Sequence, residues 1–141
     1  SMVAMANHTI VEGKNLKSLI KEGKITEDRL NEIIDRTKKG GAEIVRYLEK
    51  GSAFYAPAAS GVEMAESYLK DLKKELPCAV YLDGHYGFKE IYAGVPVIIG
   101  EKGVEKIIEL ELDANEKTNF DKSIKSVQEL FDAAKKIDSS L

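Results

Sequence analysis

The chain has 141 residues, 43% of them hydrophobic and 32% charged, the profile of one ordinary folded domain with a sizeable core. Its 24 acids and 21 bases are mixed along the chain to a formal net charge of −3, so no basic stripe is present to neutralise phosphates and a nucleic-acid partner is not expected. A single cysteine rules out an internal disulfide, no apolar stretch approaches the roughly 20 residues that cross a bilayer, and the N-terminus lacks a signal-peptide pattern, so the expected setting is the cytoplasm, away from membranes.

Ser1 ahead of Met2 is consistent with a cleaved-tag remnant before a start methionine. MVAMANHTIV, closed by Gly13, is rich in strand-compatible residues and suggests one or two short strands, with His8 inside one of them. Leu16 to Glu22 reads as one or two helical turns. Thr26 then offers an N-cap, with Glu27 and Asp28 in the first turn of a long helix. Leu30, Ile33, Ile34, Ile44, Val45 and Leu48 give that helix an apolar stripe, and Gly40-Gly41 within it suggests a bend or close packing.

Gly51 is placed to end the helix, and the uncharged SAFYAPAAS that follows needs cover. From Ala58 to Leu76 the positions Val62, Ala65, Tyr68, Leu69, Leu72 and Leu76 fit a second amphipathic helix, stopped by Pro77. CAVYLDGHYG, IYAGVPVIIG and VEKIIELEL read as three hairpin-connected strands of an antiparallel sheet. Asp113 with Glu116 forms a capping-box pattern opening a last helix, whose face carries Phe120, Ile124, Val127, Phe131 and Ala134. Helices, then sheet, then helix, with no internal repeat, favour an α+β fold of one domain, with long helices packed on an antiparallel twisted sheet.

The chemistry of catalysis is sparse. No G-x-G-x-x-G follows a strand and no P-loop is present; Gly84/Gly87 and Gly100/Gly103 fall at hairpin tips and suit turns, not a cofactor. Asp83, His85 and Glu90 are too poor a set for a metal, and Asp113, Asn115 and Lys117 lack the charge and the glycine of a calcium loop, so no metal site is expected. His8, His85 and Cys78 have no evident catalytic neighbours, and Cys78 suits a small buried hydrophobe at a strand start. No complete catalytic constellation can be assembled.

Four stretches, in family order, resemble the C-terminal domain of the malate/lactate dehydrogenase family, closest to its malate-dehydrogenase branch and the related lactate dehydrogenases. Met2-Val3 and the irregular segment to Leu16 look like the stretch after the family's H-G-D-x-M-V motif. RTKKGGAEIVRYLEKGSAFYAPAAS resembles its signature helix and turn. MAESYLKDLKKELPCAVYLDGHYG with IYAGVPVIIGEKGVEKIIELEL resembles the later helix and sheet, and NEKTNFDKSIKSVQEL the closing helix.

The resemblance implies that residues 1–141 are the substrate-side domain of an NAD-dependent malate dehydrogenase, with a lactate dehydrogenase as the close alternative. It implies that an N-terminal Rossmann domain, absent from this chain, binds most of the NAD. The family's proton-exchanging His–Asp pair and carboxylate-clamping arginine would lie upstream of Met2, so no catalytic residue falls in this chain and the fragment alone should be inactive. The family pattern sets Ala53, Tyr55 and Pro57 against a small 2-hydroxy or 2-oxo acid and the nicotinamide. Ala53 stands where lactate-type relatives carry a threonine. A homo-oligomer, dimer or tetramer, is implied as well. A non-catalytic oligomerisation module is the alternative from another class.

Overall fold

A computed structural model describes residues 2–138; Ser1, and with it the suggested tag remnant, lies outside the described residues, as do 139–141. The chain folds as two compact units that meet in sequence between Phe54 and Tyr55.

In the first unit, strands β1 (Ile10–Val11) and β2 (Lys14–Asn15) form a minimal antiparallel hairpin. Its two turn residues, Glu12 and Gly13, both take positive φ, 50° and 78°, the backbone that matches strand twist in a two-residue hairpin. The strand expected to hold His8 is instead a short 3-10 turn, Ala6–His8. The Thr9 hydroxyl donates to the Met5 carbonyl at 3.0 Å and the Thr9 N–H to the Ala6 carbonyl at 3.3 Å, so local bonds displace a ladder here.

Asn15 caps helix α1 (Leu16–Lys21), accepting from the Ser18 N–H at 2.8 Å. Thr26 caps α2 (Glu27–Leu48) as its sequence position suggests, accepting from the Arg29 N–H at 3.2 Å. That helix runs through Gly40-Gly41 unbroken, and a Cβ at either glycine would meet nothing within 4 Å, so close packing does not account for the pair. The helix ends at Leu48 with Glu49 at φ 59°, ahead of Gly51 at φ 96°.

In the second unit, α3 (Tyr55–Leu69) differs from the expected helix at both ends. It begins earlier and takes in Pro57, because the first-turn N–H groups have no intrahelical acceptor and a proline there forfeits nothing. It stops well before Pro77. Asp71, at φ 49°, turns left-handed; the Leu72 N–H reaches back to the Ser67 carbonyl at 2.9 Å and the Asp71 N–H to that of Tyr68 at 3.4 Å, a Schellman-type close. Val62, Tyr68, Leu69 and Leu72, assigned to the buried stripe, are exposed, and the fully buried residue of α3 is Ser67. The sequence YAPAASGVEMA is small or apolar around most of the helix, so its periodicity does not single out a face.

Lys74 to Pro77 belong to strand β3 (Lys74–Asp83), which pairs antiparallel with β4 (Lys89–Gly100) and places Pro77 opposite Pro96. Pro77 therefore lies within a strand. The Ile108 N–H donates to the Pro96 carbonyl at 2.9 Å, so Pro96 turns its carbonyl away from β3, and neither proline is asked for an N–H at that pair. Strand β5 (Gly103–Ile107) completes the order β3-β4-β5 and is shorter than the third run anticipated. In β4, Ile91, Ala93, Val95, Val97 and Ile99 are buried while Tyr92 and Gly94 between them are exposed, and α3 and α4 (Ala114–Ile137) both pack on this strand. Leu82 and Val97 are fully buried, each contributing about 1.5–3 kcal/mol of apolar transfer. Tyr81 and Tyr92 meet edge-to-face across the other side at 5.5 Å.

The capping box forms. Asp113 Oδ1 accepts from the N–H groups of Asn115 and Glu116 at 2.9 and 2.8 Å, and Glu116 Oε2 accepts from the Asp113 N–H at 3.2 Å. Phe120 and Ile124 are buried beyond it, whereas Val127 and Phe131 on the same stripe stay exposed. Cys78 is buried inside β3, and that burial pushes its thiol pKa up, the opposite of a reactive thiol.

Gly100 opens the turn between β4 and β5. A Cβ there would strike the Glu105 carboxylate and fall 2.7 Å from Asp71 Oδ1. Both acids are engaged: Lys73 Nζ sits 2.9 Å from Glu105 and 3.4 Å from Asp71, and Asp71 accepts from the Glu101 N–H at 3.0 Å. The Lys73 hydrogen bond holds the Glu105 carboxyl below its ordinary pKa, and the Glu101 N–H does the same for Asp71. Gly100→Ala should therefore lower the melting temperature by a few degrees, and an unchanged melt would show that the cluster rearranges without loss.

Candidate functional site

The uncharged segment SAFYAPAAS follows two positive-φ residues, Glu49 and Gly51; its first three residues, Ser52 to Phe54, lead into α3, and Tyr55 to Ser60 form the start of that helix. Ala53 is half-buried and belongs to the first unit; Tyr55 and Pro57 are exposed on the first turn of α3, in the second unit, with Tyr55 at 82%. Tyr55 and Pro57 thus share one helical turn, and Ala53 precedes it, outside the helix. No carboxylate, imidazole or guanidinium lies between Gly51 and Val62, so the polar side chains of this segment are the hydroxyls of Ser52, Tyr55 and Ser60.

The two histidines are far apart in sequence and differently placed. His8 ends the Ala6–His8 turn, and His85 opens the turn His85–Gly87, as its neighbouring glycines suggested. Arg36, a cation of the right kind to grip a carboxylate, is already taken. Its Nε and Nη2 donate to the two Glu43 oxygens at 3.1 and 3.0 Å along α2, and that pair raises the pKa of Arg36 and lowers that of Glu43. Among the described residues no group of three or more His, Cys, Asp or Glu side chains converges to hold a metal ion. No described helix is long and apolar enough to cross a membrane.

Within the first unit, an apolar cavity of about 460 Å³ is lined by Val11, Leu16, Leu19, Ile25, Leu30 and Ile34, with Thr9, Thr37 and Lys24 among its few polar groups. The Thr37 hydroxyl donates to the Ile33 carbonyl at 2.8 Å, and Lys24 lies 3.7 Å from Glu22, so these polar groups are used locally. The cavity offers apolar surface and no acid–base pair.

One organising residue escaped the sequence reading. Tyr86, at φ 54°, donates its hydroxyl to the Ile108 carbonyl at 2.8 Å and accepts from the Leu110 N–H at 2.9 Å, while its backbone N–H donates to Glu109 at 2.9 Å. These bonds tie the segment just after β5 to the turn between β3 and β4. The flanking glycines signalled a turn, but nothing local told that the tyrosine between them reaches a segment more than twenty residues on. Tyr86→Phe leaves two backbone groups without this partner, and we expect it to cost about 1–2 kcal/mol in urea unfolding; a difference below about 0.3 kcal/mol would mean that water replaces the hydroxyl fully.

Helices α3 and α4 on a three-stranded antiparallel sheet match a known architecture. The family model of the lactate/malate dehydrogenase alpha/beta C-terminal domain matches residues 1–138. The chain belongs to this family. Among curated relatives, the malate dehydrogenase of Pelagibacter ubique (strain HTCC1062) is 62% identical over 141 residues, 100% of this chain and 44% of that protein. The malate dehydrogenase of Caulobacter vibrioides (strain NA1000 / CB15N) is 54% identical over 140 residues, again 44% of its length. The chain therefore spans less than half of these relatives.

Solved structures of the family agree in fold. Cryptosporidium parvum malate dehydrogenase superposes with a TM-score of 0.90 at 45% identity, covering 94% of this chain and 42% of that one. Eimeria maxima lactate dehydrogenase, crystallised with NADH and oxamate, gives a TM-score of 0.92 at 41% identity, covering 96% and 42%. The α+β expectation and the family resemblance both hold, and relatives carrying the malate and the lactate names share this domain.

Proposed function

We propose that this chain is the substrate-side domain of an NAD-dependent malate dehydrogenase that interconverts malate and oxaloacetate. The observation that carries the reading is the identity of 62% and 54% to two malate dehydrogenases across essentially the whole chain. In this reading residues 1–141 form one functional domain, and an N-terminal Rossmann domain of the longer protein binds most of the NAD and brings the His–Asp pair and the arginine. The chemistry that bound NAD+ would supply is acceptance of a hydride from C2 of malate.

The residues present fit one end of that cofactor and no more. Exposed, uncharged Tyr55 and Pro57 suit a wall beside the nicotinamide ring and a small acid, with Ala53 completing it. The glycines of the sheet turns open no α-helix, Gly84 leading only into the three-residue turn His85–Gly87, and so offer no cradle for the pyrophosphate. What these side chains do is exclude water and shape the space; proton transfer and carboxylate binding fall to groups outside the chain. A homo-oligomer, dimer or tetramer, working in the cytoplasm completes the proposal.

Lactate dehydrogenase is the second reading, favoured by the structural likeness to the Eimeria maxima enzyme, whose oxamate ligand is a monocarboxylate. The test has two arms. The purified chain mixed with NADH and either oxaloacetate or pyruvate should give no turnover above background, and measurable turnover would overturn the account of the missing groups. The longer protein should prefer oxaloacetate over pyruvate by on the order of 100-fold in kcat/KM, about 2.7 kcal/mol. A preference for pyruvate would replace malate with lactate.

A further inference from the structure

We draw no further inference here: the strongest candidate, the exposed apolar face of α2 where Ile33, Ile44 and Tyr47 border a notch at Gly40 beside the Arg36–Glu43 pair, carries nothing because nothing in the structure shows what covers it.

Discussion

Phe120→Ala should cost the second unit about 3–5 kcal/mol, the range for truncating a large buried aromatic. The ring is 5% exposed, lies 5.1 Å from Tyr86 and 6.0 Å from Phe88 between centroids, and is the first large apolar residue after the capping box of α4. Its removal opens a cavity beneath Tyr86 and takes away an aromatic contact on either side, each worth about 0.5–1.5 kcal/mol beyond area burial. Small domains have a total stability of about 5–15 kcal/mol, so the variant should be partly unfolded at room temperature or lose about 2 M from its urea midpoint. Leu130→Ala, on the same helix but 74% exposed, is the comparison and should move stability by no more than about 0.5 kcal/mol. Equal effects at the two positions would refute the assignment of α4's first half to the core.

The reason that Phe120 was legible and Ser67 was not is physical. Over the first half of α4 the signals agree: a capping box fixes where the helix begins, and Phe120 and Ile124 at helical spacing mark its buried face, which Val127 and Phe131 do not extend. Around α3 they conflict. The helix is small or apolar on most sides, and its anchor is a hydroxyl that donates to the Ile99 carbonyl at 2.7 Å and accepts from the Lys74 N–H at 3.2 Å. Both partners are made by tertiary packing, and no spacing in the sequence announces them. The helix end was misjudged for a related reason. Proline is a strong stop signal, but Asp71 in a left-handed turn acts first, and Pro77 is then absorbed at a strand pair where its missing N–H costs nothing.

The candidate wall divides in the same way. Composition alone marked SAFYAPAAS as a segment too uncharged to stand bare, and the structure does leave Phe54, Tyr55 and Pro57 exposed. Why it should be bare was not legible in the residues; in the reading proposed above, the reason lies in groups that the longer protein would bring. Only the likeness to a family gave the segment a role.

That role has a severe test at Ala53. In the longer protein, Ala53→Asp would set a carboxylate against an anionic substrate. At about 4 Å and an effective dielectric constant of about 20, two like charges repel by about 4 kcal/mol, and partial screening leaves about 2–4 kcal/mol. We therefore expect kcat/KM for oxaloacetate to fall by about 30-fold to 1000-fold. Ala53→Asn has nearly the same shape without the charge, so it separates electrostatic repulsion from crowding and should lose far less. Urea unfolding of the isolated chain carrying each substitution removes the remaining ambiguity, since half-buried Ala53 also packs within its own unit. If the aspartate variant keeps its activity within about threefold while folding normally, Ala53 does not face the substrate. A loss that is equal for Asp and Asn would keep Ala53 at the wall but make the contact steric. A loss specific to Asp would tie this uncharged turn to an acid substrate through charge, the property that first set the segment apart in the sequence.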